Sequence, residues 1–348
     1  MRRLSLVEEP NSKRGWWKFL MTGVCGSRVV GDRASKKSPE LSRVLAEIIE
    51  PEIGGDPEGR ARYVRSSLRS LAQRIKTSAN TVGRLLRGMK FSLRANRKRL
   101  SGAPHPDRDQ QYQQIQNTKA DFHASGDPVL SIDAKNRQLI GDFKNNGKTW
   151  RAAPEDVNMY DFPSDSQGKA TPFGVFDRVA NHCLVMVCLS SATAAFAVNS
   201  IRVWWQKYGH QRYANAKRLL IECDGGGCNG HRPRLWKWQL QELADELGIS
   251  ITVRHYSRGA SKWNPIEHRV FGRISQNWAG YPLRTLTRIL GFIRGTTTTQ
   301  GLKVDAEYDP QTYETGLKIS DAQMKTIHIT RETNCPDWNY TIHPRIRN

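Results

Sequence analysis

Residues 218–227 read RLLIECDGGG, a short apolar run that ends at Asp224 and is followed at once by three glycines. A run of this length, bounded by turn residues, is typical of a buried strand. Glycine has no Cβ, so the backbone can turn sharply after the strand and leave the Asp224 carboxylate uncovered. The segment therefore predicts a strand with an acid at its carboxyl end, where α/β sheets place their sites.

The segments on either side of this strand carry strand and helix patterns in a definite order. Strands are predicted over 129–133, 138–143, 173–176, 183–189, 218–224 and 250–256, the first two as a pair. Helices are predicted over 194–207, 235–247 and 265–278. A strand meander followed by alternating helix and strand predicts an α/β fold, with a mixed sheet covered by helices on both faces.

Three acids lie at special points of this pattern. Asp133 ends the apolar run VLSI, and Asp224 ends the run described above. Glu267 lies in the first turn of the last predicted helix, on the face that is expected to pack against the sheet. Glu222 lies two residues before Asp224, on the same strand face, and is a rival ligand.

Each of the three acids also has a purely structural alternative. Asp133 and Asp224 would serve as turn residues at strand ends. Glu267 would complete a capping box with Asn264 as N-cap and Pro265 as the first helical residue. Taken together, three carboxylates at one sheet edge would raise each other's pKa unless cations lay among them. The set predicts a site for Mg²⁺ or Mn²⁺, with two ions roughly 3.5 to 4 Å apart acting on a phosphodiester.

The chain is strongly basic: its 348 residues carry 54 Lys and Arg against 33 Asp and Glu, a formal charge of +21. This charge predicts a polyanionic partner. No acid occurs between Glu58 and Asp107, whereas thirteen Lys and Arg lie between residues 60 and 99. Residues 183–198 are too short and too interrupted to cross a membrane, and residues 1–19 lack the apolar core of a signal peptide. We therefore expect a cytoplasmic protein that acts on nucleic acid without contacting a membrane.

Three apolar stripes in and before this basic region predict short helices over 38–50, 68–75 and 79–89. A tight turn, with Ser78 as N-cap, precedes the last of them. This arrangement is typical of a helix-turn-helix domain, whose second helix enters the major groove of DNA. The alternative is a small helical bundle that binds no DNA. The residues expected to face phosphates and base edges are Asn80, Thr81, Gly83, Arg84 and Arg87.

These patterns divide the chain into five predicted segments. They are a basic, irregular N-terminus (1–37), a helix-turn-helix domain (38–100), a linker with one exposed helix (101–127), a catalytic domain (128–295) and a C-terminal extension (296–348).

Four motifs give the sequence a likeness to a known family: SIDAK (131–135), LIGDFKN (139–145), CDGG (223–226) and SKWNPIEH (261–268). Over residues 40–345 the chain resembles the DDE transposases of bacterial insertion sequences, in particular the ISAzo family. The resemblance implies an RNase H-like catalytic domain. It also implies that Asp133, Asp224 and Glu267 are the catalytic, metal-binding acids.

The same resemblance implies metal-dependent DNA cleavage and strand transfer. The enzyme would act as a homo-oligomer that holds element ends and target DNA in one synaptic complex, at the nucleoid of a bacterial cell. Basic residues near the motifs are expected to contact DNA as well: Arg94, Arg97, Lys98 and Lys262. The rival hypothesis is a DNA-binding remnant or repressor that keeps the fold but no longer transposes.

Overall fold

The structure of the protein is a computed structural model that describes residues 38–50, 54–55, 62–63, 66–92, 105–257, 259–260 and 263–345. The chain divides into two compact units, Met1–Arg99 and Leu100–Asn348.

The N-terminal unit contains the three predicted helices. They are α1 (Ser38–Ile49), α2 (Leu68–Arg74) and α3 (Ala79–Gly88), and a pair of two-residue strands, β1 (Gly54–Gly55) and β2 (Arg62–Tyr63), lies between α1 and α2. Ser78 caps α3, because its hydroxyl accepts a hydrogen bond from the backbone N–H of Thr81 at 3.2 Å. The helices bury one shared apolar cluster: Leu45, Ile49, Leu71, Ala72, Ile75, Val82 and Leu85. The apolar stripes read from the sequence are confirmed as the faces that pack together.

The second unit is built on a nine-stranded mixed sheet. Its strands are β3 (Val129–Ala134), β4 (Gln138–Ile140), β5 (Gly168–Asp177), β6 (His182–Cys188), β7 (Arg218–Asp224), β8 (Ser250–Tyr256), β9 (Lys303–Asp309), β10 (Ile329–Arg331) and β11 (Asn339–Ile342). They lie in the order β10-β11-β8-β7-β3-β5-β6-β9, and β4 pairs with β5 beside this path.

The centre of the sheet has the strand order β6-β5-β3-β7-β8. β3, β7 and β8 are parallel, and β5 is antiparallel to both β3 and β6. Apart from the short β4, the core strands follow each other in the chain as β3, β5, β6, β7 and β8. The second of these, β5, runs opposite to the other four. This is the arrangement of the RNase H-like fold, and it confirms the predicted fold class.

Helices cover both faces of the sheet, as predicted. They are α4 (Arg108–Ser125), α5 (Ala194–Trp204), α6 (His210–Arg212), α7 (Arg234–Leu247), α8 (Gly272–Asn277), α9 (Leu286–Arg294) and α10 (Asp321–Lys325), with π-helical turns at Trp205–Gly209 and Glu267–Phe271. One large core lies between the sheet and helices α5 and α7. A second core packs the opposite face against α8, the π-helical turn before it and α9.

The predicted linker differs from the structure, because α4 is packed against the sheet. Four of its side chains are buried: Gln111, Ile115, Lys119 and Phe122. Two of these are polar, and the two apolar ones are seven residues apart, so no continuous apolar stripe marks this helix in the sequence. Polar contacts hold it in place instead: the Gln111 side chain donates hydrogen bonds to the His255 carbonyl oxygen and to Asn339, both at 2.8 Å.

Strand pairing also differs from the sequence prediction. β3 does not pair with β4; it pairs with β5 and β7, and β4 pairs with the first residues of β5. The ten-residue β5 starts well before the pattern at 173–176, so one end of it is free to pair with β4. The predicted C-terminal extension contributes strands at both edges, with β9 on β6 and β11 on β8.

Candidate active site

The two aspartates lie side by side at the carboxyl ends of neighbouring parallel strands. The register pairs Ile132 of β3 with Cys223 of β7, so Asp133 and Asp224 follow at the same level. The backbone N–H of Ala134 donates a hydrogen bond to the Asp133 carboxylate at 2.8 Å, which fixes that side chain at the strand end.

Glu267 reaches this edge from the π-helical turn that begins at that residue. Its carboxylate lies close enough to Asp133 for its charge and a side-chain hydrogen bond to raise the pKa of Asp133. The turn is anchored by Phe271 and, further along α8, by Ile274, both buried against the sheet. The structure therefore brings the three acids together, with Glu267 on the sheet-facing side of its helix.

Glu267 is not held in a capping box. The Asn264 side chain points into the sheet, where it accepts a hydrogen bond from the Ser131 hydroxyl at 2.5 Å and donates to the Ile132 carbonyl oxygen at 3.1 Å. The Ser131 oxygen in turn accepts a hydrogen bond from the backbone N–H of Ile266 at 3.1 Å. The first turn of the helical segment that carries Glu267 is thus capped by a strand residue 135 positions earlier in the chain.

Asn264 links all three acid-bearing elements. Besides its bonds to β3, its amide donates to Asp224 on β7 at 3.4 Å, and Glu267 follows it by three residues. Asn264 and Ser131 are both fully buried. The sequence marked Asn264 only as an N-cap, because the local pattern gives no sign of a partner so distant in the chain.

Gly174 is a second residue that the sequence analysis missed. It lies directly opposite Asp133 on β5. A Cβ at this position would lie 2.5 Å from Cδ1 of Ile266 and 3.0 Å from the ring of Phe271. The missing side chain lets the helical segment that carries Glu267 approach the sheet beside Asp133, which brings Glu267 close to that acid.

The electrostatics of the site are set by burial and by repulsion between carboxylates. Burial, the charge of Asp224 and the hydrogen bond and charge of Glu267 raise the pKa of Asp133 to about 8. A cation lies behind the site: Lys135 donates to the Ser275 hydroxyl at 2.6 Å, and its ammonium is 5.4 Å from the centre of the Trp278 ring. Burial lowers the pKa of Lys135, and the charge of Glu267 opposes that shift.

The donor set fits a hard divalent cation. Three carboxylates lie at one partly buried edge of the sheet. Burial raises the pKa of Asp133, and the charges of Asp224 and Glu267 raise it further; a bound cation would relieve that repulsion. Within the described residues, no group of three His, Cys, Asp or Glu side chains is placed to hold a metal ion, so the three carboxylates would have to draw closer together to bind one. Two carboxylates can share a hydrogen bond only if one is protonated, so a cation bound between Asp133 and Glu267 would displace that proton.

Glu222 is committed elsewhere. It is fully buried, with Lys119 of α4 at 2.7 Å, and the Tyr256 hydroxyl donates to it at 3.3 Å. The buried ammonium of Lys119 balances the charge of the Glu222 carboxylate. This ion pair holds α4 on the sheet. The rival ligand considered from the sequence therefore has a structural role instead.

The structure exposes three of the five predicted DNA-contacting residues of α3. Asn80, Arg84 and Arg87 are exposed, and Thr81 is half-buried beside the Ser78 hydroxyl at 3.0 Å. Gly83 is an exception to the prediction: it is buried, and a Cβ there would lie 3.5 Å from the Leu68 side chain of α2. The remaining predicted contacts lie outside the described residues: Arg94, Arg97, Lys98 and Lys262.

An RNase H-like sheet with aspartates on two neighbouring strand ends and a glutamate on the adjoining helix defines the DDE class of enzymes. The family model described as Rhodopirellula transposase DDE domain matches residues 44–344, and the chain belongs to this transposase family. The resemblance drawn from the sequence motifs is confirmed.

Comparisons with curated proteins and with solved structures show weaker similarity than the family model. No curated protein matches the chain. One similar solved structure is the Mos1 transposase paired-end complex with left transposon end, which is 12% identical in sequence. The superposed region covers 82% of this chain and 80% of the Mos1 chain, and the TM-score is 0.40. A second is the mariner Mos1 paired end complex with Mg, which is 13% identical. The superposed region covers 80% of this chain and 77% of the Mos1 chain, and the TM-score is 0.42. In the described part of the chain, no helix is long and apolar enough to cross a membrane.

The raised pKa of Asp133 predicts an unusual pH dependence of stability. Between the unfolded pKa near 3.8 and the folded pKa of about 8, the folded state holds more protons than the unfolded one. Without metal, the free energy of unfolding should therefore fall as pH rises through this window, by up to about 1.4 kcal/mol per pH unit. Chemical denaturation of the full chain in EDTA at pH 5.5 to 8 measures this.

The matched control is Asp133→Asn, which keeps the shape of the side chain and cannot titrate. The difference between the two proteins should grow with pH in EDTA and shrink when Mg²⁺ is added, because the cation stabilises the ionised form of Asp133. A constant difference between pH 5.5 and 8 would show that the pKa of Asp133 is not raised.

Proposed function

We propose that this protein is the active transposase of an insertion sequence, with Asp133, Asp224 and Glu267 as its catalytic residues. One observation carries the proposal: Asp133 and Asp224 lie side by side at neighbouring strand ends, and Glu267 is close enough for its charge to help raise the pKa of Asp133. Such a cluster has little structural use, because it weakens the folded state at neutral pH. It suits divalent cations and the phosphodiester that they would bring with them.

In the proposed reaction, water attacks a phosphorus atom at the end of the element. The new P–O bond replaces the bond to the 3′ oxygen, which takes up a proton and leaves as a free 3′-OH. That hydroxyl then attacks a phosphorus atom of the target DNA, loses its proton and displaces a target 3′ oxygen. The first step hydrolyses a phosphodiester, and the second replaces one phosphodiester with another. Neither step therefore needs an external energy source.

The chain's own residues hold and orient the reacting groups. Asp133 and Asp224 would bind Mg²⁺ or Mn²⁺, two ions in all, between adjacent strand ends, and Glu267 would complete the ligand set from the helix. The bound ions would activate the attacking oxygen and stabilise the leaving one. Asn264 and Ser131 keep the helix and the two strands in register. We further propose that the enzyme works as a homo-oligomer on two element ends and target DNA, at the nucleoid in the cytoplasm.

The test is an assay of the full chain on duplexes that carry the DNA ends flanking its own gene. With Mg²⁺, we expect a nick at the end of the element and joining of that end to a second duplex. No product should form in EDTA. If the protein binds these ends tightly and never cuts them with Mg²⁺ or Mn²⁺, it is a DNA-binding remnant or repressor.

The exposed residues of α3 predict a specificity effect. In the full chain, Arg84→Ala with Arg87→Ala should weaken binding to element ends and reduce the preference over unrelated duplex, since these side chains are proposed to reach base edges. Removal of each base-reading side chain should cost about 1–3 kcal/mol. Competition titrations with the two duplexes measure both quantities.

Arg69→Ala with Arg74→Ala is the matched control on α2, which would cross the DNA backbone. That variant should weaken binding to both duplexes equally and so leave the preference unchanged. Equal preference in all three proteins would rule out α3 as the recognition helix.

A further inference from the structure

A polar groove of about 770 Å³ lies beside the helical segment that follows Glu267. Its walls come from the helix segment 268–277, the loop 295–302 and Asn181 in the turn between β5 and β6. The residues that line it are Asn181, His268, Arg269, Arg273, Gln276, Asn277, Gly295, Thr296, Thr297, Thr298, Thr299, Gln300 and Leu302.

The walls of the groove are tied to each other by hydrogen bonds. The Asn277 amide donates to the Phe292 carbonyl oxygen at 2.6 Å and to the Thr296 hydroxyl at 3.4 Å. The Asn181 amide donates to the Gln300 carbonyl oxygen at 3.0 Å on the other side. The groove is therefore a fixed feature of the fold rather than a chance gap between loops.

The lining has the chemistry of a phosphate-binding surface. It carries two arginines, hydroxyls and side-chain amides, and no carboxylate is among its residues. Arg269 lies over the Phe176 ring at 5.4 Å, and Arg273 donates to Gln276 at 3.1 Å, so both guanidinium groups are held in place. Arginine, threonine, asparagine and glutamine are among the side chains that commonly contact DNA phosphates.

The groove begins next to Glu267 in the chain, because His268, the following residue, lines it. Glu267 faces the sheet, whereas Arg269 and Arg273 line the groove from the same helical segment. From Glu267 to Arg273 the chain rises by at most about 9 Å, the value for six residues of α-helix. This is comparable with the axial length of roughly two or three nucleotides of one strand. A strand whose phosphodiester lies at the acids would thus have its next phosphates in the groove.

We propose that this groove binds the sugar-phosphate backbone of DNA next to the phosphodiester that is cut or joined. This inference rests on the proposed function, because that function places the reacting phosphodiester at the three acids. It concerns DNA binding by the groove, however, so it can fail while the proposed catalysis holds. The bound strand is either the DNA of the element end or the target DNA. Both present the same phosphates, and the experiment separates them.

The test compares three full-length proteins in EDTA, so that no strand is cut. They are the unchanged chain, Arg269→Gln with Arg273→Gln, and a control with the same loss of charge, Lys318→Gln with Lys325→Gln. Both control lysines are exposed and neither lines the groove. The first arm measures binding of a labelled element-end duplex at several salt concentrations. The second measures capture of an unrelated labelled duplex by protein already bound to a pre-cut end.

If the groove holds the element end, the arginine variant should lower the log-log salt slope of the first arm by about 0.9 for each phosphate that the variant no longer neutralises. If it holds target DNA, the first arm should be unchanged and the second should show the same decrease. Arg273→Gln alone, which leaves Arg269 on the Phe176 ring, should give about half the effect and guards against misfolding of the double variant.

The proposal is overturned if neither arm changes, or if the lysine control changes as much as the arginine variant. Because neither arm needs catalysis, a protein that binds through the groove and never cuts DNA would refute the proposed function and leave this inference standing. Conversely, normal cleavage with unchanged binding in both arms would refute only the groove.

Discussion

Glu267→Gln should reduce Mg²⁺-dependent cleavage and joining by orders of magnitude while DNA binding is retained. Glutamine has the same length and can keep a hydrogen bond to Asp133, but it lacks the negative charge that a hard divalent cation needs. Fold stability should not fall, because the replacement removes one of the charges that raise the pKa of Asp133. Single-turnover cleavage of element-end duplexes measures the effect, with binding in EDTA and thermal melting measured in parallel.

Glu314→Gln is the matched control for this variant. Glu314 is an exposed acid in the same unit, so its replacement removes the same charge outside the set of three acids. It should cleave like the unchanged protein. A Glu267→Gln protein with normal activity would mean that the carboxylate is structural, and the proposed site would lose its third member.

Asn264→Ala should have the second largest effect. It removes the hydrogen bonds that join β3, β7 and the catalytic helix, and leaves the Ser131 hydroxyl without its acceptor. The loss of a buried hydrogen-bonding partner costs about 1–3 kcal/mol of stability. We also expect slower cleavage and a higher Mg²⁺ concentration for half-maximal rate, since the carboxylates would no longer be held in register.

A merely structural role for Asn264 would affect stability alone, and Asn339→Ala tests this. Asn339 is equally buried, and it exchanges hydrogen bonds with Gln111 from β11, near the edge of the sheet. Both variants should lose similar stability, but only Asn264→Ala should shift the Mg²⁺ dependence at a temperature where each is fully folded. Identical Mg²⁺ curves for the two variants would remove Asn264 from the positioning role.

The positions of the two aspartates could be predicted because each closes a local apolar run. The bounds of β7 and β8 match the sequence pattern for the same reason: short runs of buried residues are bounded by polar or glycine positions. The sheet-facing side of the catalytic helix follows from the spacing of Phe271 and Ile274 behind Glu267. These features depend on neighbours within about two helical turns, which a sequence shows directly.

The rest of the site depends on contacts between distant parts of the chain. The choice of β5 over β4 as the partner of β3 is decided by pairing in the whole sheet. No local sequence pattern around Ser131 or Gly174 predicts that a helix packs against these residues. The C-terminal strand β9 is different, because Val304 and Ala306 alternate with more exposed residues, a strand signal that the sequence does carry.

The central claim is that Asp133, Asp224 and Glu267 together bind the divalent cations of a transposase. Anomalous diffraction from crystals of the full chain, grown with Mn²⁺ and its own element-end DNA, tests it most directly. We expect Mn²⁺ peaks within coordination distance of both aspartates, with Glu267 as a further ligand and a DNA phosphate beside them. Crystals with bound DNA and no Mn²⁺ at these three carboxylates, or with Mn²⁺ only elsewhere, would contradict the claim.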